Sequence, residues 1–253
     1  MNNKSTAYQG LCTEYYELDK PLPPTQALEY YRQEAHLAKG PILEPMCGTG
    51  RFLIPLLKEG FDIQGFDSSS HMLNLCHKKC EKEGLSTSAF EGTFESFSSN
   101  KLFKLVIIPS GSFGLLTQTS DINTALQAVH KNLDNDGKFI FEVDTLNCIE
   151  SLDNNWKAQW IDKPNGQKLV LNTISKFDSQ TRIHTTLCRY ERWENNLITA
   201  TEVEEFSLRL FDMAEVENLL VNNGFKLLNK FIPYNKTPAD SNSKYILYEF
   251  VKS

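Results

Sequence analysis

The sequence predicts an α/β protein built on a parallel sheet, with an antiparallel β segment set into it. Three observations carry this. Between residues 41 and 144, short apolar runs alternate with helical patterns, the mark of βαβ units with helices on both faces of a sheet. Three β-rich runs without any helical stretch then occupy residues 168–210, which reads as an antiparallel meander. After residue 211 the α/β pattern resumes and closes on two strands joined by a polar loop, an antiparallel hairpin at the sheet edge.

The elements follow in order. Residues 1–40 are polar and rich in tyrosine; "TQALEYYRQEAHLA" is helical, opened by Pro24 and Thr25 and closed by Gly40. Residues 41–44 form a strand and 51–59 a helix, with Pro55 early enough that its missing N–H is tolerated. Residues 61–66 form a strand ending at Asp67. The helix "SSHMLNLCHKKCEKEG" follows, with serine caps before it and Gly84 after it. Residues 86–90 and the strongly apolar "LFKLVII" are strands. A helix over about 121–133 ends at "DNDG", a turn signal, before the strand "KFIFEVD". The meander comprises "KLVLNTISKF", "RIHTTLCRYERW" and "LITATEVEEFSLRL", separated by "DSQT" and "ENN". Helix "DMAEVENLLVNNG" and strands "FKLLNKFI" and "KYILYEFVK" finish the chain. The expected units are an N-terminal lid and helix (1–40), one α/β domain (41–150 with 211–253) and an inserted β region (151–210).

Composition narrows the function. The 253 residues carry 26 basic and 32 acidic side chains, a net charge of −6, and no Lys/Arg-rich run. That argues against a nucleic-acid binder, which needs a concentrated basic footprint. No apolar run approaches the ~18–20 residues of a membrane span, and "MNNKSTAYQG" has no signal-peptide core. The expectation is a soluble cytoplasmic protein that works on neither nucleic acid nor membrane. The six cysteines are scattered without a CxxC pair and read as free thiols. Cys76 and Cys80, with His71 and His77 nearby, invite a metal reading. Cysteines at helical spacing are more often small buried apolar residues, so no metal is expected.

The chemistry concentrates in "ILEPMCGTGRFLIPLL". A strand runs into a Gly-rich turn and a helix N-terminus, a cradle for a nucleotide-like ligand. Gly48 and Gly50 permit positive φ and close backbone approach, and the helix start offers free N–H groups. Asp67, at the next strand tip, is placed to accept ribose hydroxyls. Alone, this suits a nicotinamide dinucleotide or an adenosine. The loop is ExxxGxG instead of GxGxxG, and a carboxylate at Glu44 suits a ligand carrying positive charge better than a pyrophosphate.

"ILEPMCGTGR", "GFDSSSHML", "LVIIPSGSFGLL", "NLDNDGKFIFEVD" and "NNGFKL" together resemble successive landmarks of class I S-adenosylmethionine-dependent methyltransferases, of the small-molecule type with a β insertion after strand five. The resemblance implies a Rossmann-like seven-stranded sheet in the order 3-2-1-4-5-7-6 with strand 7 antiparallel, and S-adenosyl-L-methionine as cofactor. It implies that Glu44, Met46, Gly48 and Gly50 line the methionine part, Asp67 and Ser68 the ribose, and Met72, Thr93 and Phe94 the adenine. Pro109 and Ser110 would border the sulfonium. Glycine is usual in the family where this chain has Met46, which is expected to keep an ordinary φ at the strand end. An acid or amide is usual near Thr93.

Methyl transfer from a sulfonium is a displacement on an already activated carbon, so the protein supplies mainly alignment and a dry pocket. No His–Asp or paired-carboxylate motif announces a base; Tyr16 and Asp144 are the candidates. Tyr8, Tyr15 and Tyr16 read equally as a cofactor lid or as surface packing. His184 and Trp193, in the insertion, read as core or surface. The expected reaction is methylation of a small-molecule N or O acceptor by a monomer or homodimer. The rivals are a non-catalytic S-adenosylmethionine-binding or assembly protein and, less well matched, a nicotinamide-dependent oxidoreductase.

Overall fold

A computed structural model of the protein describes residues 8–149 and 155–253. Residues 1–7 of the expected lid and 150–154 at the start of the expected insertion lie outside the described residues. Two helices come first, α1 (Gly10–Asp19) and α2 (Thr25–Ala38). A first alternating series then runs β1 (Ile42–Pro45), α3 (Leu53–Lys58), β2 (Ile63–Asp67), α4 (Ser70–Lys82), β3 (Ala89–Glu91), β4 (Phe103–Ile108), α5 (Thr119–Asn132) and β5 (Leu133–Asp144). Four strands follow: β6 (Lys157–Asp162), β7 (Lys168–Asp178), β8 (Ile183–Glu194) and β9 (Leu197–Arg209). Helix α6 (Met213–Asn222), β10 (Phe225–Phe231) and β11 (Tyr245–Lys252) end the chain.

One sheet has seven strands in the order β10-β11-β5-β4-β1-β2-β3. With the four inserted strands set aside, β10 and β11 are the sixth and seventh, so the order is the expected 3-2-1-4-5-7-6. Strand β11 runs antiparallel to both β5 and β10, and the other pairings are parallel. Its centre is built for burial on both faces: Leu105, Val106, Ile107 and Ile108 of β4 and Phe139, Ile140 and Phe141 of β5 are all inaccessible to solvent. One face packs on α5 and α6 through Leu126, Val129, Val216 and Leu220. The other packs on α2, α3 and α4 through Tyr31, Leu53, Leu56 and Cys76. Among the described residues, no helix is long and apolar enough to cross a membrane.

Two local expectations fail. "DNDG" is not a turn between α5 and its strand. Leu133 already pairs with Phe103, and the next pairing is Leu105 with Lys138, so residues 134–137 bulge out of a strand that has already begun. A Cβ at Gly137 would sit 2.8 Å from the Phe103 carbonyl oxygen, which explains the glycine. The meander also has four strands, not three, in the order β6-β7-β8-β9, all antiparallel.

Helix α1 lies on this second sheet, with Leu11, Cys12 and Tyr15 packed against Leu169, Cys188 and Tyr190. The helix start is held by acids from β9. Glu202 accepts from the backbone N–H of Leu11 (3.0 Å) and Cys12 (2.9 Å). Glu204 accepts from those of Tyr8 (2.8 Å) and Gln9 (2.6 Å). Leu11 and Cys12 belong to the first turn, where helix N–H groups lack partners of their own and negative charge is favoured, and Tyr8 and Gln9 lead into it. Glu14 adds ion pairs to Lys163 and Arg192.

Candidate active site

The carboxyl ends of β1, β2, β4 and β5 lie along one edge of the large sheet, where open α/β sheets bind ligands. Strand β1 ends at Pro45. The chain then turns sharply enough for the Cys47 N–H to reach the Phe66 carbonyl on β2, at 3.1 Å. That turn falls on Met46, whose φ is 59°, not the ordinary value expected from the sequence. A non-glycine residue in the left-handed region costs on the order of 1–3 kcal/mol and is found where the surroundings impose it. Here the side chain packs against the core beneath.

The two glycines of the loop differ in role. Gly48 has φ +54°, and a Cβ there would meet nothing within 4 Å, so its face is open to a ligand. Its N–H donates to Asp67 Oδ2 at 2.8 Å. Gly50 has φ +77°, but a Cβ there would lie 2.7 Å from Cys76 Sγ and 2.9 Å from Ile54 Cδ1. It seats the loop on α3 and α4. Gly50→Val therefore strikes packing, through overlap and a strained φ, each on the order of 1–3 kcal/mol. We expect a Tm lower by about 5 °C or more in a thermal melt. An unchanged Tm with selective loss of ligand binding would refute this.

Two acids sit under the open loop. Glu44 is 2% exposed; it accepts a backbone N–H from Leu53, yet its Oε2 is buried with no partner. Burial, then the nearby Asp67 carboxylate, holds its carboxyl well above the usual range. Asp67 accepts from the N–H groups of Ser69 (2.8 Å) and Gly48 (2.8 Å). Its proton affinity is raised by burial, against the pull of the Ser69, Gly48 and Ser68 backbones. Two neighbouring acids, one buried and one half-buried, and an unpartnered oxygen make a site short of positive charge.

The remaining expected residues fall in the segments that follow β2, β3 and β4. Ser68 is exposed, and Ser69 caps α4 by accepting from the Met72 N–H at 3.2 Å. Met72 is buried. Thr93 is exposed on the turn after β3, its N–H bonded to Ser96 Oγ; Phe94 is buried, edge-on to Phe66 at 5.3 Å. Pro109 is buried at the end of β4; Ser110 is exposed with φ 58°, and its N–H donates to Glu142. Asp144, at the tip of β5, lies within reach of that turn: a Cβ on Gly111 would be 3.1 Å from Asp144 Oδ1.

Helix α1 closes the cleft from above. The Tyr8 carbonyl accepts from Ser69 Oγ at 2.8 Å, and Glu17 pairs with Lys79 on α4. Burial raises the Tyr8 phenol, with Cys12, Tyr16 and Asp67 adding to the shift, so the ring lies near the β2 acid. Burial likewise raises the Tyr16 phenol; it is bonded to the Arg51 guanidinium and close to Glu44. Tyr15 points elsewhere, onto Tyr190 of the second sheet at 5.7 Å. Arg51 follows Gly50 directly in the loop motif, and that adjacency was the signal available for it.

Next to the cleft is a cavity of ≈ 400 Å³ between the second sheet and the ends of β5 and β11. Asp144 and Tyr245 line it from the large sheet, and Thr173, Ser175, His184, Thr186 and Phe206 from the second. It adjoins the cleft through Phe206, whose ring meets Tyr8 edge-on at 6.0 Å. His184, expected in core or surface, is thus a cavity residue. Its alternation with Thr186 and Cys188 along β8 marks the inward face, but alternation does not say what that face looks onto. Trp193 instead donates its indole N–H to Glu191. Among the described residues, no group of three or more His, Cys, Asp or Glu side chains could hold a metal ion.

Comparison with known proteins agrees with this geometry. Residues 42–137 match a family described as a methyltransferase domain. The chain is 25% identical over 247 residues to a putative methyltransferase, YqeM, of Bacillus subtilis (strain 168), covering 97% of each chain. Among solved structures, it superposes on an S-adenosylmethionine-dependent methyltransferase from Clostridium acetobutylicum ATCC 824 with a TM-score of 0.81 at 17% identity, over 95% of this chain and 96% of that one. It superposes on the sugar N-methyltransferase KedS8 from Streptoalloteichus sp ATCC 53650 with a TM-score of 0.76 at 16% identity, over 100% and 97%.

Proposed function

We propose that this chain, a class I S-adenosylmethionine-dependent methyltransferase, methylates a small-molecule nitrogen or oxygen acceptor held in the cavity beside its cofactor cleft. The observation that carries the reading is the acid pair: buried Glu44, with an unpartnered oxygen, beside half-buried Asp67 under the open face of Gly48. A ligand joining cationic groups to a hydroxylated ribose fits such a site. Glu44, Met46 and the Gly48–Gly50 loop would take the methionine part, with Tyr16 and Arg51 closing over it. Asp67 and Ser68 would take the ribose hydroxyls, Met72, Thr93 and Phe94 the adenine, and Pro109 and Ser110 the methyl-bearing end. When bound, the cofactor supplies an activated methyl carbon. The protein then aligns the acceptor and keeps water out.

A cavity of ≈ 400 Å³ is of small-ligand size. KedS8, a sugar N-methyltransferase, shares the whole architecture, and the chain's net charge of −6 supports a small acceptor over nucleic acid. Thermal melts with S-adenosylhomocysteine test the cofactor site. At ~100 times its Kd the ligand adds roughly 2.7 kcal/mol, which we expect to read as a Tm rise of about 5–10 °C. No rise at millimolar ligand would sink the reading.

A further inference from the structure

We propose that the cavity between the second sheet and β5 takes a protonated amine, with Asp144 as its counter-charge and His184 as the base that accepts its proton. This rests on the methyl-transfer reading and deepens it by fixing the acceptor atom as nitrogen.

Asp144 lines the cavity at the tip of β5, next to the turn after β4 that carries Ser110 and Gly111. Asp144 is half-buried, and burial raises its carboxyl above the usual range. Glu142, two residues earlier, is the contrast. Tyr31 and Tyr234 each donate a hydroxyl to it at 2.6 Å, and it also accepts the Ser110 N–H. A half-buried carboxylate lining a cavity favours a cation entering beside it over a neutral group. A hydroxyl acceptor would bring no charge opposite to that carboxylate.

His184 faces the same space from β8. Its cross-strand partner Leu208 also lines the cavity and lies against Gly114 of the loop after β4, so the imidazole is on the side of the cofactor cleft. Burial alone lowers its proton affinity, which keeps the ring neutral and able to accept a proton at neutral pH. The other titratable groups of the lining are Cys148, Lys157 and Tyr245. An amine must shed a proton before its lone pair is nucleophilic. In the step, an ammonium N–H proton passes to His184, giving the neutral amine and an imidazolium. The amine nitrogen forms a bond to the methyl carbon as the C–S bond breaks, its electron pair staying on sulfur. The imidazolium then releases its proton to solvent.

The test has a binding arm and a transfer arm. In the first, the S-adenosylhomocysteine complex is titrated calorimetrically with cyclohexylamine and with cyclohexanol, a pair matched in shape. We expect the amine to bind at least tenfold more tightly, and D144N to remove that advantage while leaving S-adenosylhomocysteine affinity unchanged. Equal or undetectable binding of both probes would overturn the proposal. In the second, methyl-labelled cofactor is incubated with a small-metabolite extract, and mass spectrometry locates the label. An N-methyl product supports the proposal and an O-methyl product overturns it. If the protein binds S-adenosylhomocysteine yet labels nothing, the transfer reading falls and this proposal with it. On the labelled acceptor, the wild-type kcat/KM should fall with pH below His184's lowered pKa. H184Q should lose that acid limb and ~10²–10⁴-fold in kcat. A variant that keeps both would overturn the role of His184.

Discussion

Asp67→Ala should lower the affinity for S-adenosylhomocysteine by about two to four decades while the protein still folds. If Asp67 holds the ribose, the substitution removes two charge-assisted hydrogen bonds, each worth on the order of 1.5–3 kcal/mol, and 1.4 kcal/mol is about one decade. A second loss follows from the structure: the Gly48 N–H, 2.8 Å from Asp67 Oδ2, is freed and the loop loses its tether to β2. The stability of the ligand-free protein should move the opposite way for the neighbouring acid. The Glu44 and Asp67 carboxyls are both raised in the fold, so the folded state binds more protons than the unfolded chain. Their penalty is therefore largest above the folded pKa values and is relieved as pH falls through them toward the ordinary carboxylate range. Glu44→Gln, which removes one charge of the pair, should raise the ligand-free Tm at pH 7 and weaken cofactor binding together. Calorimetry and melts on the same samples decide it. An Asp67→Ala affinity within about threefold of wild type would rule out the ribose role.

The large sheet was legible because its signals are local and repeated. Each strand is a short apolar run, each helix has a periodic face, and acids fall at the tips of β1, β2 and β5. What was not legible depended on contacts between distant segments. Strand β6 passes unread because its residues are almost all exposed, with Trp160 59% accessible, so no buried face announces it. The left-handed Met46 is imposed by a hydrogen bond to the neighbouring strand, and nothing in its own side chain signals it. Gly50 looks like Gly48 in the motif, yet it answers to Cys76, 26 positions away, while Gly48 faces open space. The cavity could not be read at all, because Asp144 and His184 come to line one space only through the packing of two sheets.

The same dependence governs the lid. All the residues expected to touch the cofactor lie outside β6–β9, which suggests that the second sheet serves the acceptor alone. The structure ties it to the proposed cofactor cleft as well, since the residues leading into α1 bond to Ser69 and are held, with the first turn of the helix, by Glu204 and Glu202 of β9. Replacing residues 172–205 with a short Gly/Ser linker would remove Arg192 and both acids, and so release the helix that carries Tyr16 and the Tyr8 segment before it. We therefore expect that linker variant to lose at least ~100-fold in methyl transfer, the scale that lost positioning reaches, and cofactor affinity too. A smaller change separates the two effects. The double variant Glu202→Gln, Glu204→Gln keeps the sheet but replaces four carboxylate oxygens with two amide oxygens and two N–H₂ groups. Each charge-assisted bond is worth on the order of 1.5–3 kcal/mol. Losing the equivalent of one or two of them should weaken S-adenosylhomocysteine binding roughly 10- to 100-fold. Amide exchange over residues 8–19 should speed up, with exchange in β4 and β5 unaffected. If α1 exchanges faster but cofactor affinity stays within threefold, the helix is a brace for the second sheet and not a cofactor lid. If neither changes, the four hydrogen bonds do not hold it.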